Sequence, residues 1–473
     1  MSSNKHHSPD DSDEKSVHVS AESNSGNVQA TSAGRDAYVS AGDLTVNRFL
    51  INLAARNGRK IAFSRVETVA VFSINFFICL ALVIARVLGL FEDLELSHYD
   101  YLLRSRAEVS PDEHLVIISA SDGDYDRQDA AGENQKLGSY SDRELVLLLQ
   151  KVLLHQPKAV GLDIFRPYGE SFDPLYSLLE ERDNVLLVCE KAGFSSEGWK
   201  GPDWLKRAQN RVGFNNFLYD YDQTVRRAYI GIENANDSKC ASNFSFSFLL
   251  ASKYLDFELS EISSLGQIEE SGYRRNVLNR LLVPFYGAYQ GLDSSGFQVL
   301  INYRPVRNDL KDITNNRFDF SEVMSADFDA SIFTDRVILI GISAETEAPS
   351  PVKTPYGETK RIFVQAHITS DFIDRMDEKR QDDRVLTTIV QPIILFSVFL
   401  ICSFSTALTI RLGNHRFLLF AAAFILEFGL FAFSLVAMIW LNVWIPIYII
   451  MISSSICMVV TQVYGLSLAK DIK

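Results

Sequence analysis

Apolar and polar positions divide the chain into four long apolar runs and a middle in which short apolar stretches alternate with amphipathic ones. The first long run, VETVAVFSINFFICLALVIARVLGL at residues 66–90, is uncharged from residue 69 to 85. As a helix it crosses a hydrocarbon core of about 30 Å, with Glu67 and Arg86 placed to reach the two interfaces. Further membrane helices are predicted at residues 387–410, 417–440 and 445–468. Lipid bilayer is therefore one partner, and four crossings are expected.

Basic residues orient these spans. Segment 50–65 carries Arg56, Arg59, Lys60 and Arg65 and no acid, the RLGNHR connection at 411–416 is basic, and the LNVW turn at 441–444 is not. By the positive-inside bias both termini lie in the cytoplasm of a cell with an inner (cytoplasmic) membrane, and residues 91–384 lie outside.

Between the first and second spans the pattern alternates. LVIISA at 115–120, KAVGLDIF at 158–165, NVLLVCE at 184–190 and RVILIGISA at 336–344 are strand-like. Residues 141–156 form a helical pattern with Ser141 as N-cap and Glu144 three residues on; DPLYSLLEE at 173–181 and VQAHITSDFIDRM at 364–376 are also helical. Strands joined by crossover helices imply an α/β extracytoplasmic domain with a mainly parallel sheet.

Residues 1–25 are rich in Ser, Asp, Glu and Lys, too polar to offset chain entropy, so a disordered tail is expected there. His6 and His7 in it belong to no ligand cluster. Residues 26–49 divide into the octads GNVQATSA, GRDAYVSA and GDLTVNRF. Glycine with Asn or Asp every eight residues suits short strands and tight turns. The segment is either an adaptor completing its β-structure on another protein, through Gly34, Arg35, Asp36, Tyr38, Gly42 and Asp43, or a linker.

The net charge of −13 without a basic stripe excludes general nucleic-acid binding. Of five cysteines, Cys79, Cys402 and Cys457 fall in apolar runs; Cys189 lies in a strand-like run and is expected to be a buried free thiol, with a bridge to Cys240 left open. No CxxC pair or zinc spacing occurs.

The runs YDYLLRSR, LVIISASD, KAVGLDIFR, VGFNNFLYDYDQTVRRAYIG, INYRPV, DRVILIGISA, TPYG and QAHITSDFI follow one another in an order that resembles the CHASE-two domain, a bacterial extracytoplasmic sensor. The likeness covers most of residues 92–380, and three spans after the domain are also like that family. It implies a sensory domain facing away from the cytoplasm. Similar receptors commonly carry a cyclase or kinase after the last span, whereas here only residues 470–473 follow. The chain also departs in APSPVKTPYG, where relatives often place an acid before TP.

Candidate ligand-binding residues are few. Asp163 and Asp122 follow predicted parallel strands, at the edge where α/β sheets bind ligands, and Arg166 stands close to Asp163. The alternative is a turn-capping Asp163 paired with Arg166. Arg226 and Arg227 can bind an anion, or pair with Asp220 and Asp222 as an exposed strand end. SDGDYDRQDAAGE has acids at EF-hand positions but Arg127 where glycine is required, and is expected to be a solvated acidic loop. His367 and Asp371, one helical turn apart, lack a third ligand and read as a capping or surface pair. No nucleophile elbow or phosphate loop is present. No catalytic residue, cofactor or metal is expected. Glu427, in the middle of the third span, is expected to bond to a facing serine among Ser453, Ser454 and Ser455.

The expected function is a sensor or receptor subunit that binds a small molecule or ion outside, moves at residues 91–101 and 374–384, and signals to a separate cytoplasmic protein, as a monomer or homodimer. The alternative is a membrane effector whose spans form a pore or transport path containing Glu427.

Overall fold

The computed structural model describes residues 63–132, 140–165, 173–192, 198, 210–232, 240–257, 259, 285–291, 296–305, 309–345, 351–377, 384–385, 390–412 and 415–471. The octads, with Gly34, Arg35, Asp36, Tyr38, Gly42 and Asp43, lie outside the described residues, as does Arg166.

Helix α1 (Arg65–Val87) starts at a capping box: Ser64 Oγ accepts from the Glu67 amide at 3.2 Å and the Glu67 carboxylate accepts from the Ser64 amide at 2.7 Å. Helix α2 (Glu92–Arg104) follows after a turn at Gly89, whose φ of +83° suits glycine. Phe91 to Tyr101, expected as a movable joint, is thus almost wholly helical, because Leu96, Tyr99, Leu102 and Leu103 form one buried stripe.

The central sheet contains β1 (Leu115–Ala120), β2 (Ala159–Leu162), β3 (Val185–Cys189) and β4 (Val212–Phe214). A separate antiparallel sheet pairs β5 (Leu218–Tyr219) with β6 (Val225–Gly231), and β6 with β9 (Phe297–Leu300); β7 (Phe285–Tyr286) and β8 (Tyr289–Gln290) form a hairpin. Strands β10 (Arg317–Asp319) and β11 (Val337–Ile342) complete the central sheet in the order β10-β1-β11-β2-β3-β4, every neighbour parallel. The strands inside it, β1, β11, β2 and β3, are apolar runs because both faces are covered, whereas the edge strand β10 is RFD and only half-buried.

Alternation along β1 shows the two faces. Val116, Ile118 and Ala120 pack under α4 (Asp142–Leu154) and α5 (Asp173–Glu181), while Leu115 and Ile117 join a second core. That second core includes α6 (Phe246–Tyr254), the antiparallel sheet and a long helix near the end of the domain. A β-carbon on Gly213 would lie 2.5 Å from the Phe246 Cα, so glycine is what lets α6 approach β4. Two acidic segments are short helices: α3 (Asp122–Ala130), capped by Ser121, and α7 (Phe320–Met324). The former corrects the expected acidic loop, since the Asp124 carboxylate accepts the Ser121 amide at 2.9 Å and closes a capping box.

Strands β12 (Val352–Thr354) and β13 (Gly357–Thr359) form a hairpin before α8 (Arg361–Met376), and β14 (Arg384–Val385) leads to the remaining membrane-type helices. These are α9 (Val390–Leu412), α10 (Arg416–Leu441) and α11 (Tyr448–Asp471). A parallel ladder joins β14 to β15 (Val443–Trp444), between α10 and α11, so the start of α9 and the α10–α11 turn share one end of the bundle.

Three helices among the described residues are long and apolar enough to cross a membrane, not four: Arg65–Val87, Phe417–Leu441 and Tyr448–Leu468. The described apolar part of α9, Phe396–Leu412, falls short of the roughly 20 residues that a 30 Å core requires. Helix α9 nonetheless packs against α1 and α11.

Cys189 and Cys240 are joined by a disulfide with Cα atoms 5.5 Å apart, in place of the expected free thiol. The end of β3 and the segment before α6 meet over Phe214 and Tyr229, a proximity that sequence separation hides.

Candidate functional site

Asp122 and Asp163 lie at the same carboxyl edge of the sheet, but β11 separates their strands. The Asp122 carboxylate accepts from the Glu345 amide at 2.9 Å. Asp163 accepts from Asn215 Nδ2 at 2.8 Å, and burial raises its carboxyl above the usual range, with the Arg361 charge and the Asn215 bond opposing. The two acids therefore belong to separate networks rather than one cleft. Beside Asn215 is a small cavity of mixed lining, with Arg227, Ser247 and Gln365 on it beside Phe214, Phe217 and Ile368, large enough for a single water.

Arg226 and Arg227 are buried, not an exposed strand end. The β5–β6 hairpin carries Asp220 and Asp222 in its turn, where Gln223 takes a φ of +64°, and this folds both acids back over the two arginines. Arg226 grips Asp100 of α2 bidentately, at 2.8 Å and 2.8 Å, and Asp222 at 2.9 Å and 2.7 Å; its Nη1 also donates to Asp220 at 2.9 Å. Arg227 donates to Asp220 at 2.9 Å and to Gln298 at 2.6 Å and lies over the Tyr289 ring, while Tyr289 donates to Asp220 at 2.8 Å. Burial alone would raise Asp222, but the Arg226 hydrogen bonds and charge hold it at about 2. Burial pushes Asp100 upward against the same arginine.

Helix α2 carries this knot to the membrane helices. Arg86, at the end of α1, was expected to reach an interface; it is instead 1% exposed, donates to Glu95 at 3.2 Å and 3.1 Å, and donates to the Gly287 carbonyl at 2.7 Å. On another face of α2, His98 packs between Phe431 of α10 and Tyr448 of α11, and Tyr99 lies 4.5 Å from Trp444. Burial lowers His98 to about 4, so it is neutral in this apolar setting. One helix thus touches the antiparallel sheet, α1, α10 and the α10–α11 turn.

Burial raises Glu95 to about 6 against the opposing Arg86 charge. An acid whose folded value exceeds its unfolded value, near 4.5, stabilises the fold most below that value. Stability is then lost as pH rises from 4.5 through 6, by about 2 kcal/mol. Unfolding free energies of the protein in nanodiscs between pH 4.5 and 7, compared with Glu95→Gln, should diverge by that amount; parallel curves would refute the assignment.

His367 and Asp371 are buried on α8, so the expected surface pair is corrected by their packing. His367 Nδ1 accepts from the Arg304 amide at 3.3 Å and its Nε2 pairs with the Leu310 carbonyl at 2.9 Å; Asp371 accepts from the Asn302 amide and from Arg375. Close by, Arg304 pairs with Asp374 at 2.7 Å and Asp112 at 3.3 Å. Glu427 accepts from Ser454 and, at 3.0 Å, from Ser455, tying α10 to α11.

Sequence reasoning missed Asp100 and the Arg86–Glu95 pair. The available signal was a basic residue closing an apolar run, nine residues before an acid on an amphipathic helix.

A family model described as the CHASE2 domain matches residues 77–407, which is 331 of the 473 residues. No curated protein and no solved structure is similar enough to the chain to count as a match. The matched region runs from within α1 to within α9, so it holds the α/β domain together with parts of the helices on either side.

Proposed function

The chain belongs to the CHASE2 domain family, and from that premise we propose that it is the sensor subunit of a membrane signalling pair. Residues 91–384 face away from the cytoplasm and detect a small molecule or ion, and α1, α10 and α11 are the helices that cross the inner membrane. The chain performs no catalysis of its own. A separate cytoplasmic protein delivers the output and is recruited by the octads at residues 26–49.

The observation that carries this reading is helix α2, clamped by Asp100 to Arg226 of the domain and by Glu95 to Arg86 of α1. A sensor needs a rigid element touching both parts, so that a shift in one is felt by the other. The Cys189–Cys240 disulfide supports an oxidising location for the domain.

The test is affinity purification of three forms from membranes: the full chain, a chain lacking residues 1–49, and Asp100→Asn. A cytosolic kinase, cyclase or NTPase should co-purify with the first and third only, with its activity altered in the third. The same proteins with all three would remove the recruiting role of the octads. Unaltered output in Asp100→Asn would remove the coupling role of α2.

A further inference from the structure

Three cysteines, one each from α1, α9 and α11, meet inside the helix bundle. Cys79, Cys402 and Cys457 are buried, and their Sγ atoms all lie within 4.8 Å of one another, with 3.6 Å between Cys79 and Cys457. A single cysteine in an apolar helix packs as a small hydrophobe. Convergence of three from three helices is a different arrangement, and no spacing motif announces it, because the residues are 323 and 55 positions apart.

A second layer orients them. Asn75 Nδ2 donates to Thr406 Oγ1 at 2.8 Å and Thr461 Oγ1 at 2.9 Å, drawing the same three helices together. Each of these residues stands four positions from one cysteine on its own helix: Asn75 with Cys79, Thr406 with Cys402, and Thr461 with Cys457. The polar layer therefore fixes the rotation at which each helix presents its sulfur. Val83, Val398, Ile449 and Ile450 belong to the same buried cluster as the thiols and give them an apolar surrounding.

We propose that Cys79, Cys402 and Cys457 form an intramembrane site for a thiophilic d10 monovalent cation, of the class of Cu(I). Thiolate ligands without oxygen or nitrogen select soft ions. A trigonal ion with metal–sulfur bonds of about 2.3 Å requires sulfurs about 4.0 Å apart, within the observed range. Structural zinc is held by four ligands, and no carboxylate or imidazole joins this group among the described residues. Each cysteine gives up its S–H proton as its Cu–S bond forms, with no electron transferred, and a monovalent ion offsets part of the thiolate charge so gathered. Occupancy then pins α1, the helix that carries Arg86 in its last turn, to α9 and α11.

The experiment uses the full chain in nanodiscs, anaerobically, titrated with Cu(I) against a chromophoric Cu(I) chelator. One Cu(I) per chain should bind, with sulfur as its only neighbours by X-ray absorption at the copper edge. Cys402→Ser should weaken binding by about tenfold or more. Should that variant fold poorly, the absorption spectrum of the unmutated chain decides alone. The proposal is overturned if the chelator keeps all the copper, if nitrogen or oxygen dominates the shell, if Zn(II) competes equally, or if mass spectrometry of anaerobically prepared protein finds Cys79 bridged to Cys457.

Discussion

Arg226→Ala should destabilise the protein by about 3–5 kcal/mol, the cost of leaving buried carboxylates without their counter-charge. Asp100 and Asp220 are 13% and 2% exposed in their side chains, and Arg226 bridges both to Asp222. Lysine should not rescue the position, because one ammonium cannot reproduce two bidentate grips. Combining Arg226→Met with Asp100→Asn and Asp222→Asn should recover much of the loss, since the uncompensated charge disappears with the arginine. Acid should also help Arg226→Ala: with the arginine gone, burial raises the stranded carboxyls above their unfolded values, so stability grows as pH falls through them. Thermal unfolding in nanodiscs from pH 4 to 8 measures all of these. An Arg226→Ala protein as stable as the unmutated chain would contradict the knot.

The second large effect is expected from Cys189→Ser with Cys240→Ser. The bridge closes a loop of 51 residues, and restricting such a loop in the unfolded chain is worth about 4 kcal/mol. The native ends are held by other contacts as well, because Lys191 donates to the Cys240 carbonyl at 3.0 Å and lies over Phe214. The folded geometry should therefore survive while the melting temperature drops. Reductant should lower the midpoint of the unmutated protein towards that of the double variant and leave the latter unmoved. Equal midpoints for all samples would show that the bridge does not contribute.

How much of this was legible depends on whether the controlling contacts are local. Ser141 and Glu144 announce α4, and the strand at 115–120 reads directly from LVIISA, because caps and short apolar runs are written in neighbouring residues. Helix α6 was not legible: FSFLLASKY is buried nearly all round, so no polar face marks its period. Asp163 was placed at the right sheet edge, but its partner Asn215 comes from beyond β4. Arg226 and Arg227 stood out as a pair, yet their role depends on Asp100, which lies 126 residues before Arg226. Arg86 was taken for an interface residue because composition cannot show that α2 turns back over the end of α1.

Strand β1 lies between β10 and β11, with Leu115 paired to Val337, 222 residues further along the chain. Synthesis runs from the amino terminus at about 5–20 residues per second, so β1 waits on the order of 10–45 s for this neighbour to be made. During that time its apolar faces and both hydrogen-bonding edges have no native cover from the central sheet. The waiting strand is therefore the part of the nascent domain most open to aggregation, and the yield of folded domain should follow how fast β11 arrives more than the stability of the finished sheet.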